Sequence, residues 1–211
     1  MRRFRRKYYD VFSHFYDAII ALHSRDRRAY LRRFLLKKAG VKEDTRLLDL
    51  CTGTGAVPLA AAEIISEKGL IVGVDFSCGM LKQAVRKAGE RKHPRLFFVL
   101  ADVGELPFPR ATFEVVTCSH AMYELDPETR DRALEEVKRV LAPGGCFAMM
   151  EHCEPKNPFV RLLYRLRLAS MGSPENRAFA RDERPFLKRH FREVKRLLSP
   201  TGGSKLLLAY V

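Results

Sequence analysis

The sequence contains few cysteines, and no two of them form a CxxC pair. The 211 residues hold Cys51, Cys78, Cys118, Cys146 and Cys153. An odd number without regular spacing is not a disulfide framework and favours a reducing compartment. Three of them fall at or just after predicted strand ends, near His120 and His152. A metal site there is conceivable, but buried free cysteines commonly serve as small apolar residues, and we expect no metal.

Long apolar runs are also absent from the sequence. No stretch approaches the ~20 residues that cross a bilayer. Residues 1–10 are basic but have no apolar segment behind them, so they are not a secretory signal. No internal repeat or low-complexity linker is visible. With 46% hydrophobic and 30% charged residues, the chain is expected to be one cytoplasmic domain over residues 1–211.

Acidic residues are in the minority. Lys and Arg number 39 against 25 Asp and Glu, which gives a formal net charge of +14. An excess of this size favours an anionic partner such as nucleic acid, anionic lipid or an acidic substrate. The alternative is a basic surface that is simply solvated.

The most informative stretch is LLDLCTGTG, residues 47–55. It indicates a buried strand, a glycine turn at Gly53 and Gly55, and the start of a helix. Glycine permits positive φ and lets a ligand approach the backbone closely, so the stretch is typical of a nucleotide cradle. The full GxGxxG pattern is missing, because Cys51 holds the first glycine position. The loop alone is therefore a weak signal.

A second apolar run, residues 70–76, carries an acid near its end. Asp75 lies 20 residues beyond Gly55, where an acid ending the second strand can accept both ribose hydroxyls. The alternative role for Asp75 is to cap the helix that begins near Cys78. Ser77 is the better cap, so we expect Asp75 to be left for a ligand.

Strands and helices alternate from residue 45 onward. Strands are predicted at 45–51, 69–75, 95–101, 113–118 and 145–151, and helices at 55–67, 78–90 and 127–141. Such alternation predicts a Rossmann-like, doubly wound parallel sheet with helices on both faces. Two amphipathic helices, at 11–22 and from about 31 to 39, precede it. We expect residues 1–40 to form a lid over the mouth of the 41–211 core, with ordinary packing as the alternative.

The ordered motifs of the chain resemble a known family. LLDLCTGTG (47–55), VDFSCGML (74–81), ADVGELPF (101–108), FEVVTCSHAMYEL (113–125) and RVLAPGG (139–145) are similar to the motifs of class I S-adenosylmethionine-dependent methyltransferases. The DLCTGTG loop, FSHFYD (12–17) and KNPFVRLLYRL (156–166) most resemble the ubiquinone/menaquinone-biosynthesis C-methyltransferases, the methyltransferase 11-like group. This resemblance implies a seven-stranded sheet, with further strands near 192–198 and 204–210, the last of them antiparallel.

The resemblance also implies a binding site for S-adenosyl-L-methionine beyond the carboxyl ends of the strands. Asp49 would orient the methionine ammonium, Asp75 the ribose, and Asp102 would accept from the adenine amino group. Asp102 has an alternative role as a turn residue. The implied cofactor residues are Tyr16, Asp49, Gly53, Thr54, Gly55, Asp75, Phe76, Met80, Ala101, Asp102, Val103 and Ser119.

Methyl transfer is an in-line displacement in which the protein aligns the nucleophile and, where needed, removes its proton. Alignment can supply ~7–11 kcal/mol, and a general base adds roughly 10²–10⁴-fold. Histidine suits that role because its unperturbed pKa is about 6.5. His120, after the fourth strand, and His152, after the fifth, are the candidate bases. The alternative for each is a polar residue at the pocket rim.

The acceptor stays open among a quinone-type ring carbon, a thiol, an amine and other small or lipid-like molecules. An RNA methyltransferase is one alternative, but TCSHAMYEL (117–125) lacks the Asn/Asp-Pro-Pro-aromatic signature of enzymes that methylate a flipped base. A non-catalytic cofactor-binding protein is another.

Residues 159–168 and the basic residues 1–7 suggest contact with an anionic membrane, unless 159–168 packs on the core. The oligomeric state is open.

Overall fold

The structure is a computed structural model and describes residues 29–89, 93–154, 161–162 and 174–211. Its strands are β1 (Arg46–Leu50), β2 (Leu70–Asp75), β3 (Leu96–Leu100), β4 (Phe113–Ser119), β5 (Leu141–His152), β6 (Glu193–Leu198) and β7 (Ser204–Tyr210). They form one seven-stranded sheet in the order β3-β2-β1-β4-β5-β7-β6. β1 to β5 run parallel to one another, and β7 is antiparallel to both of its neighbours.

Helices flank the sheet between these strands. They are α1 (Tyr30–Lys38), α2 (Ala56–Ala61), α3 (Cys78–Gly89), α4 (Pro127–Val140), α5 (Pro174–Arg181) and α6 (Arg184–Leu187). A 3₁₀ turn, Met122–Glu124, follows β4. The Rossmann-like fold with an antiparallel last strand is thereby confirmed, and the strand order reverses between β1 and β4. Ligands bind in such sheets at that switch point, beyond the carboxyl ends of the strands.

Two apolar cores cover the two faces of the sheet. Leu48 and Leu50 of β1 point into one core, and Leu47 points into the other, because side chains alternate along a strand. In α1, Leu31, Leu35 and Leu36 are buried in the second core. Helix α1 is thus anchored to the sheet, and its first turn lies at the carboxyl ends of the strands.

Two predicted boundaries were wrong. Helix α2 ends at Ala61 instead of residue 67, because its last turn tightens into i−3 bonds such as Ile64 N to Ala61 O, 2.9 Å. The chain then turns back, and Ser66 N donates to Glu43 O at 2.8 Å. Strand β5 begins at Leu141, four residues before the predicted start at 145, since it already pairs with Phe113 across an irregular register.

Asp126 caps the start of α4, because its Oδ1 accepts from Thr129 N at 3.0 Å. Other predictions cannot be compared with the structure. The predicted helix 11–22 with Tyr16, and residues 159–168 apart from 161–162, lie outside the described residues. Within the residues that are described, no helix is both long and apolar enough to span a membrane.

Candidate functional site

The loop after β1 turns at two glycines with positive φ, +54° at Gly53 and +82° at Gly55. A Cβ on Gly55 would lie 3.1 Å from both Ala84 Cβ and a ring carbon of Phe98. Any larger residue there would strain the backbone and push against α3 and β3. Gly53 has open space around it. The loop is therefore closely packed against α3 and β3 at Gly55 and has open space at Gly53, as a ligand cradle requires.

Two cavities open at this edge of the sheet and share Cys51, Gly53, Ser119 and His120. The first cavity also contains Asp75, Phe76, Met80, Asp102, Val103, Ala121, Glu124, Leu125, Asp126 and Thr129. The second also contains Leu31, Arg32, Asp49, Thr52, Thr54, Ala56, Val57, His152, Thr201, Gly203 and Ser204. The two cavities therefore adjoin each other at the loop after β1 and at the end of β4.

Asp49 lies in the second cavity as a buried carboxyl, 2% exposed. Its two oxygens accept hydrogen bonds from the hydroxyls of Thr117 and Thr52, each at 2.7 Å. Burial raises the pKa of Asp49 to about 7, against the lowering effect of these two bonds. Near neutral pH this carboxyl is ready to ionise opposite a cationic group.

Asp75 lies in the first cavity, and the expectation that it would be left for a ligand needs correction. Its Oδ2 accepts from Gly53 N at 2.8 Å, and its Oδ1 accepts from Ser77 N at 2.9 Å. The loop after β1 and the loop after β2 each direct a backbone N–H toward the Asp75 carboxylate. The spacing of residues in the sequence does not reveal this arrangement. A carboxylate oxygen can accept more than one hydrogen bond. Ser77 does cap α3, accepting from Met80 N at 3.2 Å.

Asp102 fulfils the turn role that was its alternative, since its Oδ1 accepts from Gly104 N at 2.9 Å. It nevertheless lines the first cavity together with Val103. Ala101 and Gly55 line neither cavity. Ala101 N donates to Asp75 O at 3.1 Å, so it ties the two strand ends together behind the cavity wall.

His120 stands where the two cavities meet. Its backbone has φ +56°, a conformation that is uncommon outside glycine and often found at functional sites. Its Nδ1 lies 3.1 Å from Ser119 Oγ, and its Nε2 lies 3.2 Å from Ser204 Oγ. Burial, followed by the neighbouring His152 and Arg32, holds the pKa of His120 well below 6.5. The ring is therefore neutral at neutral pH and can accept a proton.

His152 joins His120 in the second cavity, as their predicted positions after neighbouring strands required. Their ring centroids are 4.2 Å apart at an angle of 38°. The Tyr123 ring lies 6.2 Å from His152 in an edge orientation. The structure thus brings both candidate bases to one place, next to Ser119.

Several residues of the cavities escaped the sequence analysis. Arg32 reaches the second cavity from α1, Thr52 supports Asp49, and Ser204 comes from the far end of the chain. Only the hydroxyl-rich turn before β7, with Thr201, Gly202 and Gly203, could have drawn attention to Ser204. Its approach to His120 depends on the antiparallel return of β7, which the local sequence does not encode.

The cysteines near the site make one contact of note. The thiols of Cys51 and Cys118 hydrogen bond, and this bond together with burial raises the pKa of Cys118 well above its usual range. Within the described ranges, no three His, Cys, Asp or Glu side chains are grouped so that they could hold a metal ion.

Comparison with known proteins places this architecture in a family. Residues 3–193 match the model of the ubiE/COQ5 methyltransferase family. A demethylmenaquinone methyltransferase of Staphylococcus aureus (strain JH9) is 28% identical over 207 residues, which cover 89% of this chain and 84% of that one.

Solved structures share the fold. An S-adenosylmethionine-dependent methyltransferase from Aquifex aeolicus superposes with a TM-score of 0.72 at 20% identity, covering 92% of this chain and 96% of that chain. A Methanococcus maripaludis protein assigned to the same class gives a TM-score of 0.69 at 16% identity, over 97% and 92%. With its glycine loop, its joined cavities and a family match along nearly its whole length, this chain belongs to the ubiE/COQ5 methyltransferase family and is an S-adenosylmethionine-dependent methyltransferase.

Proposed function

We propose that this enzyme methylates a ring carbon of a quinone-type acceptor in its reduced, hydroxyl-bearing form. The observation that carries the proposal is a neutral histidine, His120, at the junction of the two cavities. The demethylmenaquinone methyltransferase relatives act on an acceptor of this class according to their name. A ring carbon beside a hydroxyl becomes nucleophilic when that hydroxyl loses its proton, so a neutral imidazole suits this acceptor.

For the cofactor, we assign the adenosine part to the first cavity. Asp75 would accept from the ribose hydroxyls, and the ring of Phe76, 37% exposed, offers a face for the adenine. Met80 and Val103 are buried apolar residues in the same wall. Asp102 would accept from the adenine amino group, since it lines the same cavity.

The methionine part is assigned to the second cavity, where charged groups of both signs lie together. The buried Asp49 carboxylate would pair with the ammonium, and the Arg32 guanidinium would face the carboxylate. Gly53 and Thr54 would pass beneath the chain between them. When bound, S-adenosylmethionine supplies an already activated methyl group on a sulfonium. Ser119, shared by both cavities, would mark the position of that sulfur.

The chain's own contribution to the reaction is alignment, proton removal and exclusion of water. His120 would take the proton of the acceptor hydroxyl, and His152, whose ring lies beside it at a tilt, would complete the polar wall. Arg32 has a second effect here: its charge helps to keep His120 neutral. A neutral base at pH 7 is the form that can accept a proton.

The proposal is tested by following label from S-adenosylmethionine into a panel of acceptors. The panel should hold a demethylated isoprenoid naphthoquinol, its oxidised quinone, a small thiol, an amine and RNA. We expect label in the quinol alone, on a ring carbon when the product is analysed by mass spectrometry. Transfer to the thiol, the amine or RNA with none to the quinol would overturn the assigned acceptor.

The two histidines give a matched pair of variants in the same assay. His120→Ala should retain cofactor affinity and lose roughly 10²-fold or more in turnover, because the general base is removed. His152→Ala should lose less, since His152 lines the second cavity alone, whereas His120 lines both. Calorimetry with S-adenosylhomocysteine checks that cofactor binding is kept. Full turnover in both variants across pH would show that the base is elsewhere.

We also propose that the acceptor is delivered from an anionic membrane surface. The net charge of +14 supports this, as does the basic and apolar composition of residues 1–7 and 159–168. Each basic residue near an anionic leaflet contributes ~1 kcal/mol of attraction. Flotation with anionic and neutral vesicles tests the idea. Salt-sensitive binding to anionic vesicles, reduced on removal of residues 1–7, supports it, and no binding at low salt refutes it.

A further inference from the structure

Ser204 is the first residue of β7, and it is buried at 4% exposure. It pairs directly opposite His152 in the antiparallel ladder between β5 and β7. Its Oγ lies 3.2 Å from Nε2 of His120. A residue from the far end of the chain therefore contacts the proposed base from the side opposite Ser119.

The turn before β7 holds this hydroxyl in place. Ser204 N donates to Ser199 Oγ at 3.1 Å, and Ser199 N donates to Ser204 O at 2.8 Å. Ser199 Oγ in turn lies 3.1 Å from Thr201 Oγ1. With its backbone bonded on both sides, Ser204 can offer its hydroxyl to His120 at little further cost in conformational entropy.

A neutral imidazole carries one N–H and one lone pair, and its partners decide which nitrogen has which. Here the two ring nitrogens face different surroundings. Nδ1 faces Ser119, which belongs to both cavities, whereas Nε2 faces Ser204, which belongs to the second cavity alone. Only the nitrogen on the Ser119 side looks toward the junction where the methyl group would be transferred.

We propose that Ser204 is a positioning residue that fixes the tautomer of His120: its Oγ accepts the Nε2–H, so that the Nδ1 lone pair faces the junction. This inference rests on the proposed function, because it concerns the residue to which the base role is assigned. Ser119 would donate its hydroxyl to Nδ1 in the resting enzyme and yield that position to the acceptor. Ser204 would keep its bond throughout.

The proton balance is complete without a further reagent. The acceptor hydroxyl gives its proton to Nδ1, and its electron pair raises the nucleophilicity of the ring carbon. The carbon–methyl bond forms as the sulfonium–methyl bond breaks, and S-adenosylhomocysteine is the leaving group. The ring carbon then gives its own proton to water, which restores aromaticity and leaves the ring oxygen as an anion. The imidazolium, with Nε2–H held by Ser204 Oγ, returns the Nδ1 proton to that oxygen, so that one proton in total is released to water.

The charged and titratable groups that share the second cavity with His120 are Arg32 from α1, Asp49 and Cys51 from the end of β1, and His152 from β5. Those that share the first cavity with it are Cys51, Asp75, Asp102, Glu124 and Asp126. All of them remain in a Ser204→Ala variant. A change in the protonation of His120 in that variant can therefore be assigned to the lost hydroxyl.

The tautomer can be read directly by long-range ¹H–¹⁵N correlation NMR of the histidine rings at pH 8. His120 is assigned among the six histidines by the peaks missing from His120→Asn. In the wild type we expect Nε2 protonated and Nδ1 unprotonated. Ser204→Ala should shift His120 toward the Nδ1–H form, and Ser204→Thr, which restores a hydroxyl, should return it. Ser199→Ala is the matched control for the turn: it removes a bond that holds the Ser204 backbone but leaves the Ser204 hydroxyl, so it should shift the tautomer less than Ser204→Ala does.

A wild-type ring protonated on Nδ1, or an unchanged His120 spectrum in Ser204→Ala, would overturn the inference. This readout needs no acceptor, so it is independent of whether the proposed acceptor is correct. In turnover on the quinol, Ser204→Ala should lose about tenfold in kcat with an unchanged KM for the cofactor. Equal losses in Ser204→Ala and Ser199→Ala would mean that Ser204 only stabilises the turn.

Discussion

Replacing Asp49 by asparagine is expected to weaken S-adenosylmethionine binding by at least about thirtyfold and, at pH 8, to raise the melting temperature of the cofactor-free protein. Losing one partner of a buried charge pair costs about 2–5 kcal/mol, and 2 kcal/mol is about thirtyfold in affinity. The asparagine side chain would keep the size of the original; its oxygen can still accept from one threonine hydroxyl, and its NH2 can donate to the other. The change therefore removes the charge and little else.

The gain in stability follows from the sign of the pKa shift. The folded protein holds the Asp49 proton up to a pH of about 7, whereas an unfolded chain releases it near 3.9. The folded state thus binds more protons, and its stability falls as pH rises between these values. At pH 8 the wild type carries the full cost of a buried carboxylate, and asparagine does not. The difference should shrink as the pH falls toward 4.

Scanning fluorimetry of the empty proteins and calorimetry with the cofactor measure both effects. Wild-type affinity should decline as pH falls below about 7, because Asp49 must be ionised to pair with the ammonium, and Asp49→Asn should lack this dependence. The exposed Asp44 offers a matched control: Asp44→Asn should change neither quantity. An Asp49→Asn protein with unchanged affinity would exclude the ammonium role of this carboxyl.

The second large effect is expected at the buried ion pair between Lys205 of β7 and Glu183. Lys205 Nζ lies 2.7 Å from Glu183 Oε1, and the side chains are 3% and 1% exposed. The same ammonium donates to Ala180 O at 2.8 Å. It therefore ties α5 and α6 to the sheet beside Ser204.

Lys205→Met should lower the free energy of unfolding by about 3–5 kcal/mol, because it leaves a buried carboxylate without its cation. For a domain of this size each kcal/mol moves the melting temperature by about 2–4 °C. The deficit should grow with pH, since the unpaired Glu183 must hold a proton to remain buried. Urea unfolding at pH 6 and pH 8 measures it.

The double variant Lys205→Met/Glu183→Leu is the control for this prediction. Replacing both members of a buried pair by apolar residues is often neutral or stabilising, so much of the lost stability should return. A single variant as stable as the wild type, or a double variant less stable than the single, would show that the pair does not hold these elements together.

Much of the fold could be predicted because its signals are local. The apolar run at residues 47–50, the glycines after it and the acid at the end of β2 are each encoded within a few residues. Alternation of strands and helices then constrains topology, so His120 and His152 were expected on neighbouring strands. The predicted end of α2 was wrong, because the chain turns back after this helix to bond with Glu43, which lies in a loop distant in the sequence.

The rest of the site depends on contacts that no local pattern carries. Asp75, at the end of β2, accepts from Gly53 N in the loop after β1, 22 residues away, and Ser204 contacts His120 across 84 residues of chain. Lys205 and Glu183 are two charged residues whose sequence suggests exposure. Only the antiparallel return of β7 buries them together. Polar pairing inside the fold was therefore the part that sequence reasoning missed.

The central claim is that the two joined cavities bind S-adenosylmethionine with its ribose on Asp75, and calorimetry tests it most directly. Wild type, Asp75→Ala, Asp75→Asn and the control Asp44→Ala should be titrated with S-adenosylmethionine and S-adenosylhomocysteine, with circular dichroism confirming that each is folded. The control Asp44→Ala should bind each of the two ligands with the same affinity as the wild type. Asp75→Ala should weaken both by about 1.5–3 kcal/mol, the value of a hydrogen bond to a charged group, with Asp75→Asn affected in the same direction. Equal affinity in wild type and the Asp75 variants, or no binding by the wild type, would contradict the account.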